Sequence, residues 1–261
     1  MSNHFTAIGL PVREREDLSR VIGAALRSAA AESIGGRRTL AVWREESGAE
    51  LDVLLEKPRW RGEPTVECAT PQFVGTARQT VRVTSVIDDE CRGCALVTVE
   101  VLEAGETIYP LAVAPARVAA LRGRLAQLAR TGEPVDASIV MVAEEIEVYA
   151  DESAYHAAQQ AGPETGTDTA RSPDFAAESL IPVGLFSEGG PPAPAALLHG
   201  TVTTARRTAS AAFDAEFWQL TVRTFGEEFD VVVGVDDAPK IEVGNVVGVQ
   251  AWVCGRIGEV A

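Results

Sequence analysis

The residues with the clearest chemical potential are two cysteines three positions apart. Cys91 and Cys94 form a Cys-x-x-Cys pair, which can serve as a redox dithiol or as half of a zinc site. A redox pair usually begins a helix, whereas a strand pattern follows here. A zinc site needs two further ligands, and Cys68 is the only candidate third sulfur. The sequence favours a reduced hairpin turn, with the redox and zinc sites as alternatives.

Histidines and carboxylates show no catalytic or metal-binding spacing. His4, His156 and His199 are scattered along the chain, with no pair at helical i, i+4 spacing. The acidic clusters have no EF-hand spacing and are expected on the solvated surface. These clusters are Glu14/Glu16/Asp17, Asp88-Asp89-Glu90, Glu144-Glu145/Glu147 and Asp236-Asp237. The sequence therefore predicts no metal site and assigns no catalytic residue.

Nucleotide-binding and hydrolase motifs are also missing. The chain contains no GxGxxG, GxxxxGK[ST], GxSxG or HExxH segment. We therefore expect no cofactor, and the sequence favours a protein without catalytic activity.

The charge of the chain limits its partners. Lys and Arg number 23 against 38 Asp and Glu, a formal charge of −15. Such a charge repels phosphate backbones and anionic lipids, so we expect neither nucleic acid nor membrane as a partner. The first ten residues do not resemble a signal peptide, and the cysteines are too few for a disulfide framework. We expect a cytoplasmic protein.

Two stretches of the chain share the order strand, helix, strand, strand. In the first, these elements are predicted at residues 5–12, 14–32, 39–44 and 50–56. In the second, they are predicted at residues 107–113, 118–128, 138–142 and 146–149. We interpret the likeness as a duplication, with chance similarity of two common units as the alternative. Residues 79–88 and 95–103 alternate in polarity and predict a hairpin between the units.

The rest of the chain predicts a linker and a small barrel. Residues 160–173 are rich in Gly, Pro and Thr and lack periodicity. Four strands are then predicted at residues 197–204, 216–224, 229–236 and 246–254. We predict an α+β fold with a duplicated domain of residues 1–152, whose sheet is covered by two helices. A linker of residues 153–174 and a small OB-like β-barrel of residues 175–261 would follow. A single domain with a long loop is the alternative to the linker.

Residues on one face of the predicted barrel are candidates for partner binding. Alternation places Phe217 and Arg223 on the side of their strand opposite Trp218, Leu220 and Val222, which we predict as core. Gln250, Trp252 and Arg256 likewise share one side of the last strand. Aromatic side chains and arginine are common at interfaces. The alternative is that these residues are covered by another part of the chain.

Two segments resemble known families. Trp43, then Ser47-Gly48-Ala49-Glu50-Leu51-Asp52, and the segment from Glu144 to Tyr149 resemble the closing strands of glyoxalase-like (vicinal oxygen chelate) modules. That family pairs two βαβββ units and binds a divalent metal through His and Glu. The histidine of that family's first strand would fall near Ala7 in this chain. Only Glu147 could replace the glutamate of a closing strand. The resemblance therefore implies that the metal chemistry is lost. Residues 197–257 are similar in strand pattern to an OB-type barrel.

These observations favour a non-catalytic interaction or scaffold protein that binds another protein or a second copy of itself. The alternative is an enzyme or small-molecule binder with a site in the cleft of the duplicated domain.

Overall fold

A computed structural model describes residues 3–88, 95–161, 175–186 and 192–258. These residues form an α+β fold made mostly of strands. Its helices are α1 (Arg15–Leu26), α2 (Val118–Thr131) and α3 (Glu152–Ala161). Its strands are β1 (Ala30–Gly35), β2 (Arg38–Arg44), β3 (Ala49–Glu56), β4 (Thr65–Phe73), β5 (Gln79–Asp88), β6 (Ala95–Glu103), β7 (Glu106–Pro115), β8 (Pro134–Tyr149), β9 (Ser179–Ile181), β10 (Ala195–Ser210), β11 (Ala215–Arg223), β12 (Glu228–Gly234) and β13 (Val246–Ile257). None of the described helices is long and apolar enough to cross a membrane.

The first sheet, which we call the small sheet, is a meander of β1, β2, β3 and β4 in that order. All its pairs are antiparallel, as short connections between successive strands require. Gly48 lies in the β2–β3 turn with a φ of 95°. A Cβ at this position would lie 2.7 Å from the ring of Phe73, so the turn requires glycine both for its backbone and for space.

The second sheet, which we call the large sheet, contains β5 to β13 and is built around the antiparallel pair of β8 and β13. On one side, β5, β6 and β7 connect β8 to β13; on the other, β12, β11 and β10 do the same. The pairings close two five-stranded rings that share β8 and β13. Each ring contains one parallel pair. This pair is β12 with β8 in one ring and β7 with β13 in the other. Closure leaves few free edges.

Two apolar clusters fill this architecture. One lies within the large sheet and includes residues from both rings, such as Val99, Ile139, Leu220 and Val253. The other joins α1, one side of the small sheet and the large sheet, with Trp43 and Phe217 among its members. Because burial of apolar area is the main stabilising force, the two sheets are held together by the second cluster.

Several predicted elements differ from the structure. Residues 5–12 contain a 3-10 helix, Thr6–Ile8, instead of a strand. The reason is local: the side-chain oxygen of Asn3 accepts hydrogen bonds from the backbone N–H groups of Phe5 and Thr6, which bends the chain into a turn. Helix α1 is shorter than predicted and β1 follows it. The two strands predicted at 138–149 are one continuous strand, and α3 was not predicted.

The tertiary organisation also differs from the expected duplication. The first predicted unit lacks its opening strand, and its strands form the small sheet, whereas the second unit belongs to the large sheet. The two predicted helices do not cover one common sheet, because α1 contacts the small sheet and α2 the large one. The predicted C-terminal barrel does not close on its own strands, since β12 pairs with β8. Of the predicted linker, residues 153–161 are helical and residues 162–174 lie outside the described residues.

His199 of β10 connects α3 and the segment before β9 to the large sheet. Its ring stacks on Phe175 at a centroid distance of 5.3 Å and lies 5.6 Å from the ring of Tyr155. Its Nδ1 is 3.3 Å from Ser179 Oγ. Burial lowers the pKa of the imidazole from its usual 6.5, and Glu147 only partly opposes the shift. The neutral ring is therefore the form that fits this contact.

We expect acidification to loosen α3. The folded-state pKa of His199 lies below its unfolded value of 6.5, so the unfolded state binds the proton more strongly. The stability contributed by the neutral ring is thus present above that value and is lost as the pH falls below it. Hydrogen exchange of α3 amides, converted to opening free energies at about pH 5 and about pH 7.5, should show less protection in acid. His199→Phe should remove most of this difference; an unchanged difference would contradict the assignment.

Candidate functional site

The predicted binding face is not assembled on one exposed surface. Phe217 is fully buried, and its ring meets Phe73 edge to face at 5.9 Å. The 3-10 helix lies against this side of β11, since a Cβ on Gly9 would come within 2.9 Å of the Phe217 ring. The expectation that Phe217 is accessible is therefore wrong: the first residues of the chain and the small sheet cover the outer side of the large sheet.

Three other predicted residues make polar contacts, each with a different carboxylate. Arg223 forms an exposed ion pair with Glu178 at 2.9 Å. Gln250 donates from Nε2 to Glu144 Oε2 at 3.4 Å. Arg256 is largely buried and binds the carboxylate of Glu50 in the small sheet. The last of these contacts shows that Arg256 has a role within the fold.

Trp252 is the predicted residue that lies at a candidate site. Its indole stacks on His4 at a centroid distance of 4.6 Å and an angle of 15°. His4 is held in turn by Glu144, whose Oε1 lies 2.9 Å from Nε2 of the imidazole. The half-buried indole also lines a cavity between the two sheets. It thus has a fixed position from which it could stack on a bound molecule.

The cavity, which we call the inter-sheet cavity, has a volume of about 280 Å³ and mainly apolar walls. The small sheet contributes Leu40, Asp52, Leu54, Cys68 and Thr70. The large sheet, α2 and the segment before β10 contribute Ala95, Leu96, Ala114, Pro115, Val118, Ala119, Pro194 and Trp252. A larger hollow of about 610 Å³ beside Arg13 and Asp236 is lined mainly by polar groups. An apolar cavity with few polar groups is the typical form of a small-molecule site.

The cavity-facing side of the small sheet carries three successive rows of residues, one each from β2, β3 and β4. Because side chains alternate across a strand, residues two apart lie on the same face. The rows are Leu40–Leu54–Cys68, Val42–Asp52–Thr70 and Arg44–Glu50–Gln72. The face thus changes from apolar at the first row to charged and polar at the third. Asp52 lies at the transition between them.

Three buried oxygens on this face have no hydrogen-bond partner among the described residues. They are Glu50 Oε1, Asp52 Oδ1 and Gln72 Oε1. The other polar atoms of the same groups are occupied; the Gln72 amide, for example, donates to the carbonyl oxygen of Ala114 at 3.3 Å. Leaving a buried acceptor unpaired is unfavourable by about 1–3 kcal/mol. The face is therefore rich in acceptors and short of donors.

Asp52 combines this position with an altered acidity. Its Oδ2 accepts a hydrogen bond from the backbone N–H of Arg117, which precedes α2 in a left-handed conformation with a φ of 53°. Burial and the nearby Glu50 carboxylate raise the pKa of Asp52 to about 7, although the hydrogen bond and charge of Arg117 oppose the shift. Both protonation states are thus accessible near neutral pH, as is common at functional sites.

Glu50 is held more firmly than Asp52. It is completely buried, and its Oε2 binds the guanidinium groups of Arg44 and Arg256. Arg44 is half exposed, whereas Arg256 is only 11% exposed. The contact joins β13 of the large sheet to β3 of the small sheet. This ion-pair cluster therefore fixes one end of the cavity-facing side.

The remaining candidates from the sequence lie elsewhere. Cys91 and Cys94 are outside the described residues, so the structure neither places them nor relates them to Cys68, which lines the cavity. Glu14 and Asp17 form a capping box at the start of α1, a structural role. Across residues 3–88, 95–161, 175–186 and 192–258, no group of three or more His, Cys, Asp or Glu side chains could hold a metal ion.

Asp52 is not a candidate from the sequence, because alternation alone assigns it to solvent. Leu51 and Val53 fill one side of β3, so alternation places Glu50 and Asp52 on the opposite side, and charged residues usually face solvent. One signal was available: Leu40 and Leu54 share the face of Asp52, and two leucines on a supposedly solvated face indicate that something covers it.

Comparison with known proteins adds no family to these observations. No family model matches the chain, and neither a curated protein nor a solved structure matches it significantly.

Proposed function

We propose that this protein binds a small, mainly apolar molecule carrying a hydrogen-bond donor, in the inter-sheet cavity. The observation that carries the proposal is Oδ1 of Asp52, a buried acceptor that has no hydrogen-bond partner among the described residues and belongs to a residue lining an apolar cavity. Trp252 offers a flat aromatic wall, and Leu40 and Leu54 offer aliphatic contacts. We assign binding and no reaction, because Asp52 is the only titratable carboxylate among the described lining residues.

The charges around Asp52 favour a cationic donor, such as an ammonium group, over an anion. Arg44 and Arg256 are both used by Glu50, and the guanidinium of Arg117 lies 2.9 Å from Glu32. A carboxylate ligand would therefore meet acceptors. An ammonium group would pair with ionised Asp52, with the indole of Trp252 nearby for a cation–π contact.

The test uses three probes that share a phenyl ring and differ in their polar group. Phenethylamine, phenethyl alcohol and phenylacetate are titrated into the full chain and followed by ligand-observed NMR. We expect phenethylamine to bind most tightly and phenylacetate not to bind. Affinity for the amine should rise as the pH increases through about 7, where Asp52 becomes ionised.

Matched variants locate the site. Asp52→Asn should lower the affinity for phenethylamine by roughly tenfold or more and abolish its pH dependence, since charged hydrogen bonds contribute about 1.5–3 kcal/mol. Ala119→Leu, which fills the cavity, should weaken the binding of both phenethylamine and phenethyl alcohol. Asp237→Asn, at an exposed carboxylate far along the sequence, is the control. Equal binding by wild type and Asp52→Asn, or no binding of any probe, would refute the proposal.

The two family resemblances remain proposals about ancestry. The ring of β8, β10, β11, β12 and β13 has five strands, the number found in OB-type barrels, although β8 precedes the predicted boundary. For the glyoxalase-like modules, Ala7 is buried in the 3-10 helix, and Glu147 accepts a hydrogen bond from Tyr149. A role as an acidic scaffold protein also remains a proposal. One surface feature, the loop between β3 and β4, favours a contact with another protein.

A further inference from the structure

The loop between β3 and β4 exposes the most accessible large apolar side chain among the described residues. Trp60 is 86% exposed, ahead of Phe186 at 69%. It is flanked by three exposed cations, Lys57, Arg59 and Arg61. We call residues 57–61 the basic loop.

The cations of the basic loop have no ion-pair partner among the described residues, unlike the two nearest arginines. Arg37 and Arg38, on the adjacent β1–β2 connection, pair with Glu56 and Glu67. Within the described residues, no carboxylate lies in ion-pair distance of Lys57, Arg59 or Arg61. These three positive charges therefore form no ion pair within the described part of the fold.

The base of the loop is fixed even though its tip is exposed. Lys57 donates its backbone N–H to the carbonyl oxygen of Arg37 at 2.8 Å. Thr65 Oγ1 donates to the carbonyl oxygen of Glu56 at 3.4 Å. Anchored ends limit the entropy that the loop would lose on binding a partner.

We propose that the basic loop docks an acidic segment of another protein, with Trp60 packing on an apolar residue of that segment. Trp and Arg are the residue types that most often dominate protein interfaces. A short acidic segment places its charge at the loop alone. A membrane or a nucleic acid would also bring negative charge close to the rest of a chain with a net charge of −15.

The probe is a short synthetic peptide that alternates glutamate with leucine and phenylalanine, labelled for fluorescence anisotropy. We expect saturable binding that weakens as salt is added. Trp60→Ala and the double variant Arg59→Glu/Arg61→Glu should each lower the affinity at least about tenfold. Phe225→Ala, at another exposed aromatic residue, and Arg206→Glu, at another exposed arginine, should leave it unchanged. Thermal melting confirms that each variant is folded.

Three results would overturn the proposal. One is peptide binding that does not depend on Trp60. Another is tighter, Trp60-dependent binding to anionic lipid vesicles or to single-stranded DNA. The third is Trp60-dependent dimerisation without peptide in analytical ultracentrifugation, which would make a second copy the occupant. None of these results depends on the inter-sheet cavity.

Discussion

Replacing Asp52 by asparagine is expected to stabilise the protein by up to about 4 kcal/mol at about pH 8, and to change its stability little at about pH 4. Burial is the main reason that the folded-state pKa of Asp52 is raised from 3.8 to about 7, with the Glu50 carboxylate second. One pKa unit corresponds to about 1.4 kcal/mol.

The sign follows from proton binding. Between the unfolded value of 3.8 and the folded value of about 7, the folded state holds the proton on Asp52 and the unfolded state does not. The stability of the wild type that depends on this proton is present at low pH and is lost as the pH rises through about 7. The asparagine side chain of the variant would carry no charge, and its carbonyl could still accept the N–H of Arg117.

Urea unfolding of both proteins over this pH range measures the effect. The free energies of unfolding should coincide at about pH 4, diverge as the pH rises from there to about 7, and stay apart at higher pH. Asp237→Asn serves as the control for removal of a carboxylate, and it should follow the wild type. Parallel curves for wild type and Asp52→Asn would show that the Asp52 carboxyl is not buried as described. Together with the probe titrations, the result would show whether the ionised Asp52 carboxylate serves ligand binding or the stability of the fold.

The second large effect is expected at the contact between the two sheets. Arg256→Met should destabilise the protein by about 3–5 kcal/mol, because removing one partner of a buried ion pair leaves the other charge buried. Glu50 is completely buried, and the half-exposed Arg44 would be its remaining partner. Methionine retains much of the apolar volume of the arginine stem, so the loss reports on charge rather than packing.

Two further variants test this interpretation. Arg207→Met breaks the pair with Glu216, in which both side chains are about half exposed, and should change the stability by about 0–1 kcal/mol. The double variant Arg256→Met/Glu50→Gln removes the buried charge as well and should recover part of the loss. If Arg256→Met is no more harmful than Arg207→Met, the cluster does not join the sheets as the structure indicates.

Local patterns predicted much of the small sheet. Residue patterns predicted strands at residues 39–44 and 50–56, and β2 and β3 form there as an antiparallel pair. The same kind of evidence failed at residues 5–12, where apolar composition suggested a strand. There, hydrogen bonds that the side-chain oxygen of Asn3 accepts from the backbone decide the conformation. Composition does not reveal such a contact, since asparagine also occurs in many loops without making it.

The candidate site was only partly visible. Trp252 was selected as a binding residue, and it lines the inter-sheet cavity. Of the other residues predicted with it, Phe217 is buried, and Arg223 and Arg256 pair with carboxylates elsewhere. Asp52 was not selected. Its chemistry depends on Arg117 and Glu50, and Arg117 is 65 residues away in the sequence. The acidity of a carboxyl group follows from its surroundings, which no single-chain pattern specifies.

The sequence by itself determined the charge, the α+β class and the apolar side of most strands, because these follow from composition and from the period of side chains along the backbone. Only the tertiary structure decided that β8 and β13 pair, and that the small sheet covers the outer side of the large one. Strand pairing and the packing of one sheet on another join residues that are far apart in the chain. Many different strands could satisfy the same local pattern, so the pattern alone does not select the partner. The buried Asp52 and its cavity exist only because of that covering contact.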